Sequence, residues 1–480
     1  MEPVESLPPD SFGRPAEGRW TLAALLLALA VGGAIAYGML AGAPERTAGA
    51  LVAGVAIVLA TAQPVLGLAW FIAFNLLRPE EVFPHLAGLR LTLLAGAAAL
   101  FGWFLSVTLR RRRVLRSPGL LLMAGFAAWG MLATTLKANE PTLSEALLML
   151  LKLAALYGLA LQVFDTEARA RQIVAWLLLF SVGLALLAQW GAAAGWWTYA
   201  LETGEGFRAA AVGNFGDPND LALILVMAVP LALSTLLDGR DFLARIGGAL
   251  ALAVLLVTIQ TTHSRGGELA LGTALVAYFA RRWGRRGLLL GGAALLVGLL
   301  LLRPERLLAL DLARDPSTQG RIDAWIAAFW MVRQDPLFGV GVLQFLEHHW
   351  QTAHNSYLLT LAETGIPGSL LWLGIFLYAA TATQQARAAL RDHPRARTLL
   401  PPLNAIEAAI VGFAVGGFFL SRAYLAALYL YLAVWTALAH AALAAAGAKP
   451  PPLDGRFARR LIYATGSLLL AVTMAVEMLR

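Results

Sequence analysis

Long apolar runs recur along the chain from Trp20 to the C-terminus, separated by short polar connectors. A helix rises about 1.5 Å per residue and a hydrocarbon core is about 30 Å thick, so such runs predict membrane-spanning helices. Candidate spans fall at 20–42, 46–61, 64–77, 89–108, 119–136, 143–163, 172–195, 219–237, 243–262, 266–280, 287–302, 366–386, 402–421, 423–446 and 461–478. The second and third are short for a bilayer and also read as one broken pair around Gln63-Pro64. The pattern predicts an all-α polytopic membrane protein of about 12–15 transmembrane helices. Its expected organisation is a tail at 1–19, a bundle at 20–302, one large helical loop at 303–365 between two late helices, and C-terminal helices at 366–480.

Composition agrees with this class. The chain is 59% hydrophobic and 14% charged, where a soluble domain is nearer a quarter charged. The first run is too long for a signal core. With no cysteine, disulfides, thiolate metal sites and a Cys nucleophile are excluded. The net charge of +8 reports topology in a membrane protein and gives no ground for a nucleic-acid partner. When the spans alternate from an inside N-terminus, the inside connectors carry 23 of the Lys and Arg residues and the outside ones 13, five of those in 303–365. The positive-inside rule then puts the N-terminus in the cytoplasm and the 303–365 loop on the extracytoplasmic side.

Several arginines lie on that outer side, against the rule. Arg208 precedes Gly213-Asn214-Phe215-Gly216-Asp217-Pro218-Asn219. Arg265 sits in the hairpin Thr262-His263-Ser264-Arg265-Gly266-Gly267, Arg321 in Gly320-Arg321-Ile322-Asp323, and Arg422 follows Ser421. One such arginine is a common snorkelling anchor. Several on one face read as an anion site, for which the planar guanidinium fork is well suited.

Within the loop, Ile322, Trp325, Ile326, Phe329 and Trp330 recur at helical spacing, with Ser317 or Thr318 as candidate N-cap and Asp335-Pro336 as the stop. That aromatic stripe suits either the membrane interface or packing on the bundle. Gly339-Val340-Gly341 reads as a turn, because no nucleotide-binding glycine pattern accompanies it. A second short helix begins near His354 or Asn355 and stops at Gly365. At its positive end His354 is biased toward neutral imidazole, which can accept a proton. His263 is a rival base, and the adjacent His348 and His349 match no zinc spacing.

The stretch His354-Asn355-Ser356-Tyr357-Leu358 with Glu363, Gly365 and Gly368 resembles the signature of the O-antigen ligase and O-antigen polymerase superfamily. Three more pieces fit in the same order. They are Arg208 with Gly213-Asn214-Phe215 and Pro218-Asn219, then Ser264-Arg265-Gly266, then Gly320-Arg321 with Trp325 and Pro336 to Gly341. The resemblance covers roughly residues 205–370. It implies an inverting glycosyltransferase that takes a glycan from undecaprenyl diphosphate at the periplasmic face of a bacterial inner membrane, without cofactor, nucleotide sugar or metal. It also implies a general-base role for His354 and a diphosphate-binding role for Arg208 and Arg265, with Arg321 a further carry-over.

On chemical grounds Asn355, Tyr357 and Asn219 are candidates to position sugar or acceptor hydroxyls. Trp196, Trp197, Trp325 and Trp330 are candidates to line a lipid entry or stack on sugars. The expected acceptor is lipid A–core, with a glycan repeat or a protein hydroxyl as alternatives. A flippase or secondary transporter is the rival from another class; it would need charged groups within spans, where Lys152 is the clearest, with Gln162 and Gln189.

Overall fold

The computed structural model describes residues 54, 63–83, 86, 88, 90–110, 116–137, 140–163, 167–200, 207–302 and 316–479. The expected tail at 1–19, the expected span at 20–42, all but one residue of 46–61, and loop residues 303–315 lie outside them. The helices are α1 (Pro64–Leu77), α2 (Pro79–Val82), α3 (Leu91–Arg110), α4 (Pro118–Lys137), α5 (Glu140–Val163), α6 (Glu167–Ala193), α7 (Pro218–Asp238) and α8 (Phe242–Thr261). After these come α9 (Arg265–Leu302), α10 (Pro316–Gln334), α11 (Phe345–His348), α12 (Ser356–Ala389), α13 (Ala396–Gly416), α14 (Ala426–Ala445) and α15 (Gly455–Leu479).

Among the described residues nine helices are long and apolar enough to cross a membrane, and the protein is an all-α polytopic membrane protein. The hydropathy reading placed α1 at its observed bounds. It began α13 late and carried it too far, because Pro401 and Pro402 lie within that helix and do not start it. A feature outside the helical pattern is a short antiparallel ribbon between α6 and α7, β1 (Thr198–Ala200) with β2 (Phe207–Ala209). Three-residue strands leave almost no periodicity to read.

Two long helices reverse on a glycine. In α9 Gly284 takes φ +60°. A Cβ on Gly291 would lie 2.8 Å from Val276 Cα, so the second half packs back along the first. The helix thus divides into two halves near the boundary between the segments expected at 266–280 and 287–302, although neither half is among the nine described helices long and apolar enough to cross a membrane. In α12 Gly365 takes φ +66°, and Tyr357 meets Trp372 at a ring-centroid distance of 5.5 Å. An unbroken helix would hold residues fifteen apart at about 22 Å. The segment 356–364 is therefore a short buried helix folded against 366–389, as the stop signal at Gly365 predicts.

Buried α7 and α14 form the centre of the bundle, and α7 packs on α8, α9 and α13. Its two ends are chemically different. At the Asp238 end, Arg282 pairs with Asp238 at 2.6 Å, and Glu407 is shared by Arg281 and Arg387. At the Pro218 end gather Arg208, Asn219, Asp220 and Arg422. The 21 residues of α7 separate these ends by about 30 Å. Residues that the charge pattern assigned to one side of the membrane thus meet one another, as do those assigned to the other.

Candidate functional site

The site is built around the N-terminus of α7. Asp217 caps this helix, accepting from the Asn219 amide at 2.7 Å, and Pro218 supplies a first-turn residue that needs no N–H partner. The Asn219 side chain donates to Asp217 at 2.9 Å and accepts from Arg208 Nη2 at 3.0 Å. Arg208 Nε also donates to the Thr262 carbonyl at 2.9 Å. Arg208, on β2, is thereby fixed against the turn that carries His263, Ser264 and Arg265. The turn is tight: His263 takes φ +50°, and the Ser264 hydroxyl accepts from Gly267 N at 3.1 Å. Arg265 opens α9 with its side chain exposed.

His354 approaches from the other side. It takes φ +47° and is held by its neighbours. The Ala353 carbonyl accepts from Trp325 Nε1 at 2.9 Å, and Gln351 donates to the Gly320 carbonyl beside Arg321. Asn355 caps α12, its side-chain oxygen accepting from Tyr357 N at 2.9 Å and Leu358 N at 3.0 Å. Ser356 N donates to the Gly417 carbonyl at 2.7 Å, and Thr352 bonds Ser421 at 2.8 Å. The loop after α13 completes the enclosure. The Arg422 amide donates to Ser356 Oγ at 2.8 Å, and the Arg422 guanidinium grips Asp220 with two nitrogens.

His354 is half-buried and lies outside the helical spans. Burial, foremost, holds its imidazole below the usual range, with Arg321 and Arg422 acting in the same direction and Asp217 opposing them. Removing water disfavours the imidazolium, and nearby cations disfavour it further. The fold therefore presents a neutral imidazole among arginines.

The structure gathers His354, Arg208, Asn219, the Arg265 turn and Arg321 at one end of the bundle. The remaining two sequence candidates are bound into the fold: Asn355 is fully buried as a cap, and the Tyr357 hydroxyl donates to the Ala414 carbonyl at 2.7 Å. Ser317 and Thr318 fall inside α10, which begins at Pro316, so neither is its N-cap. Of the aromatic stripe, Trp325 is buried against Phe418 and Trp330 is 55% exposed, so the stripe divides between bundle and surface. Arg422, noted in the sequence as an outward arginine, belongs with the site; only its pairing with Asp220 shows this. Among the described residues no group of three or more His, Asp or Glu side chains is arranged to hold a metal.

Residues 250–373 match the family model described as O-antigen ligase. This match supports a likeness to the O-antigen ligase superfamily. No curated protein matches the chain. The superfamily consists of glycosyltransferase-like membrane proteins of the O-antigen ligase and polymerase type, acting on lipid-linked glycans. The matched segment contains Arg265, Arg321 and His354. Arg208, Asn219, Asp220 and Arg422 lie outside it and reach the same place through the fold.

Proposed function

We propose that this protein is an inverting, metal-independent glycosyltransferase of the bacterial inner membrane. It moves a glycan from an undecaprenyl-diphosphate donor to a hydroxyl of lipid A–core, on the periplasmic face. The observation that carries the reading is the meeting of a half-buried His354, its imidazole held toward the neutral form, with arginines brought in from separate parts of the chain.

In this reading His354 removes the proton from the acceptor hydroxyl. The oxygen attacks the anomeric carbon from the face opposite the diphosphate, the carbon–oxygen bond to the diphosphate breaks, and the configuration inverts. The leaving group is already stable, so the protein supplies charge stabilisation and a base. Arg208, Arg265 and Arg321 bind the diphosphate and its growing charge. Asn219 fixes Arg208 from behind. Repeat-unit polymerisation and transfer to a protein hydroxyl use the same chemistry and differ only in acceptor. Lys152 lies on the exposed face of α5, and Gln189 bonds Thr258 and Thr261, so neither favours a transport path.

The test is transfer in vitro from a defined undecaprenyl-diphosphate oligosaccharide to lipid A–core, glycan and peptide acceptors in parallel. Transfer by the unaltered protein, lost in His354→Ala, is expected. Full activity in that variant removes His354 as the base, and transfer to peptide alone reassigns the acceptor.

A further inference from the structure

A cavity of about 410 Å³ opens beside the site, lined by Glu81, Trp197, Tyr199, Gly213 and Gly216 among others. It lies within the usual size range of small-molecule sites. Two observations mark it as built rather than incidental. Trp197 takes φ +49° and Arg78 takes φ +43°, conformations that cost energy for residues with a Cβ. Each is accommodated by a glycine. A Cβ on Gly191 would overlap the Trp197 ring, and a Cβ on Gly213 would strike the Arg78 side chain, with Nε at 2.8 Å. Arg78 lies across Gly213 and pairs with Glu81, which anchors the carboxylate at the cavity wall.

The cavity also joins the reaction site. Tyr199 is the cross-strand partner of Arg208 in the β1–β2 ribbon, so the two side chains start from neighbouring positions on one face. Gly216 is followed by Asp217, whose charge acts on His354. A molecule bound there lies next to the proposed diphosphate site.

Aromatic surfaces beside a fixed carboxylate and open backbone suit a ligand with alternating apolar ring faces and hydroxyl groups. The carboxylate accepts hydrogen bonds and donates none. We propose that this cavity is a saccharide subsite, with Glu81 accepting from sugar hydroxyls and Trp197 and Tyr199 covering ring faces. The inference rests on the glycosyl-transfer reading and adds to it where the sugar sits. Either the donor glycan or the acceptor glycan supplies that chemistry.

Steady-state transfer by the full-length protein in nanodiscs distinguishes these cases, using the undecaprenyl-diphosphate oligosaccharide and lipid A–core as separately varied substrates. Glu81→Gln, which loses a bond to a charged group, and Tyr199→Ala, which loses a ring-face contact, are each expected to raise KM for one substrate, by about tenfold for Glu81→Gln, with kcat within about twofold. The substrate affected assigns the subsite to donor or acceptor. Tyr199 is 51% exposed, so its truncation leaves the core intact. Active protein with both KM values unchanged in both variants overturns the subsite. Absence of transfer by the unaltered protein overturns instead the reading beneath it, and direct binding still tests the cavity: quenching of tryptophan fluorescence by the same two glycans is expected in the unaltered protein and lost in Tyr199→Ala, and equal quenching in both overturns the subsite.

Discussion

Arg422 and Asp220 stand 202 positions apart and meet in a two-pronged ion pair, with Nε and Nη2 of the arginine both donating to the carboxylate. Asp220 is 4% exposed, in the first turn of α7. Through the Arg422 amide, the same residue also holds Ser356 at the start of α12. One residue, through its side chain and its backbone amide, therefore joins the α7 terminus, the loop after α13 and the segment carrying His354.

Breaking this pair leaves a largely buried charge without its partner, a cost of roughly 1.5–3 kcal/mol. Asp220→Asn and Arg422→Gln should each lower the melting temperature in detergent. The double variant should lose less than the sum of the two, because both singles remove one interaction. Additive losses would show that the pair does not couple these elements.

The environment of His354 sets a pH dependence. A base whose conjugate acid is held below the usual imidazole range stays active at neutral pH and is lost only in acid. Arg321→Gln removes a repelling cation, so the imidazole pKa rises and the acidic limb of the pH–rate profile moves to higher pH. Asp217→Asn removes an attracting anion, so the limb moves to lower pH. The sign is the test, since a general loss of structure lowers the rate without moving the limbs in opposite directions.

Arg208→Lys keeps the charge but cannot bond the Thr262 carbonyl and Asn219 from one rigid fork. Donor KM should rise by about tenfold or more, the equivalent of 1.5–3 kcal/mol for charge-assisted bonds. Arg265→Lys tests the second arm in the same assay. Near-normal donor KM in both variants would make these arginines simple anchors.

Two glycines separate backbone cost from collision. Gly447 has φ +68° with open space around it, so Gly447→Ala should cost only about 1–2 kcal/mol. Gly365 has φ +66°, and a Cβ there would overlap the Leu337 carbonyl oxygen. Gly365→Ala should therefore destabilise clearly more than Gly447→Ala in detergent melts. Equal shifts would mean that the 336–339 turn gives way freely.

Much of the fold is legible locally. A run such as 219–237 is apolar for its whole length, and no neighbour is needed to read it as a span. Gly365 with Pro367 stops a helix by its own backbone preferences. The candidate site is legible only in part. His354 and the arginines stand out as polar residues on one side, but Asn355 and Tyr357 look equally available until their bonds to α12 and to Ala414 are seen.

The sequence by itself determined that this is a helical membrane protein, where most spans lie, which polar segments share an end, and which superfamily motif they carry. The first three follow from hydropathy, charge and turn chemistry within a short window, and the last from the likeness of short motifs to a known signature. Only the tertiary structure decided that Arg208 rests on Thr262, that Arg422 grips Asp220, and that Tyr199 and Glu81 open a cavity beside them. Those contacts depend on which helix faces pack and where each helix ends against its neighbours. That is a property of the assembled bundle, to which residues far apart in the chain contribute together.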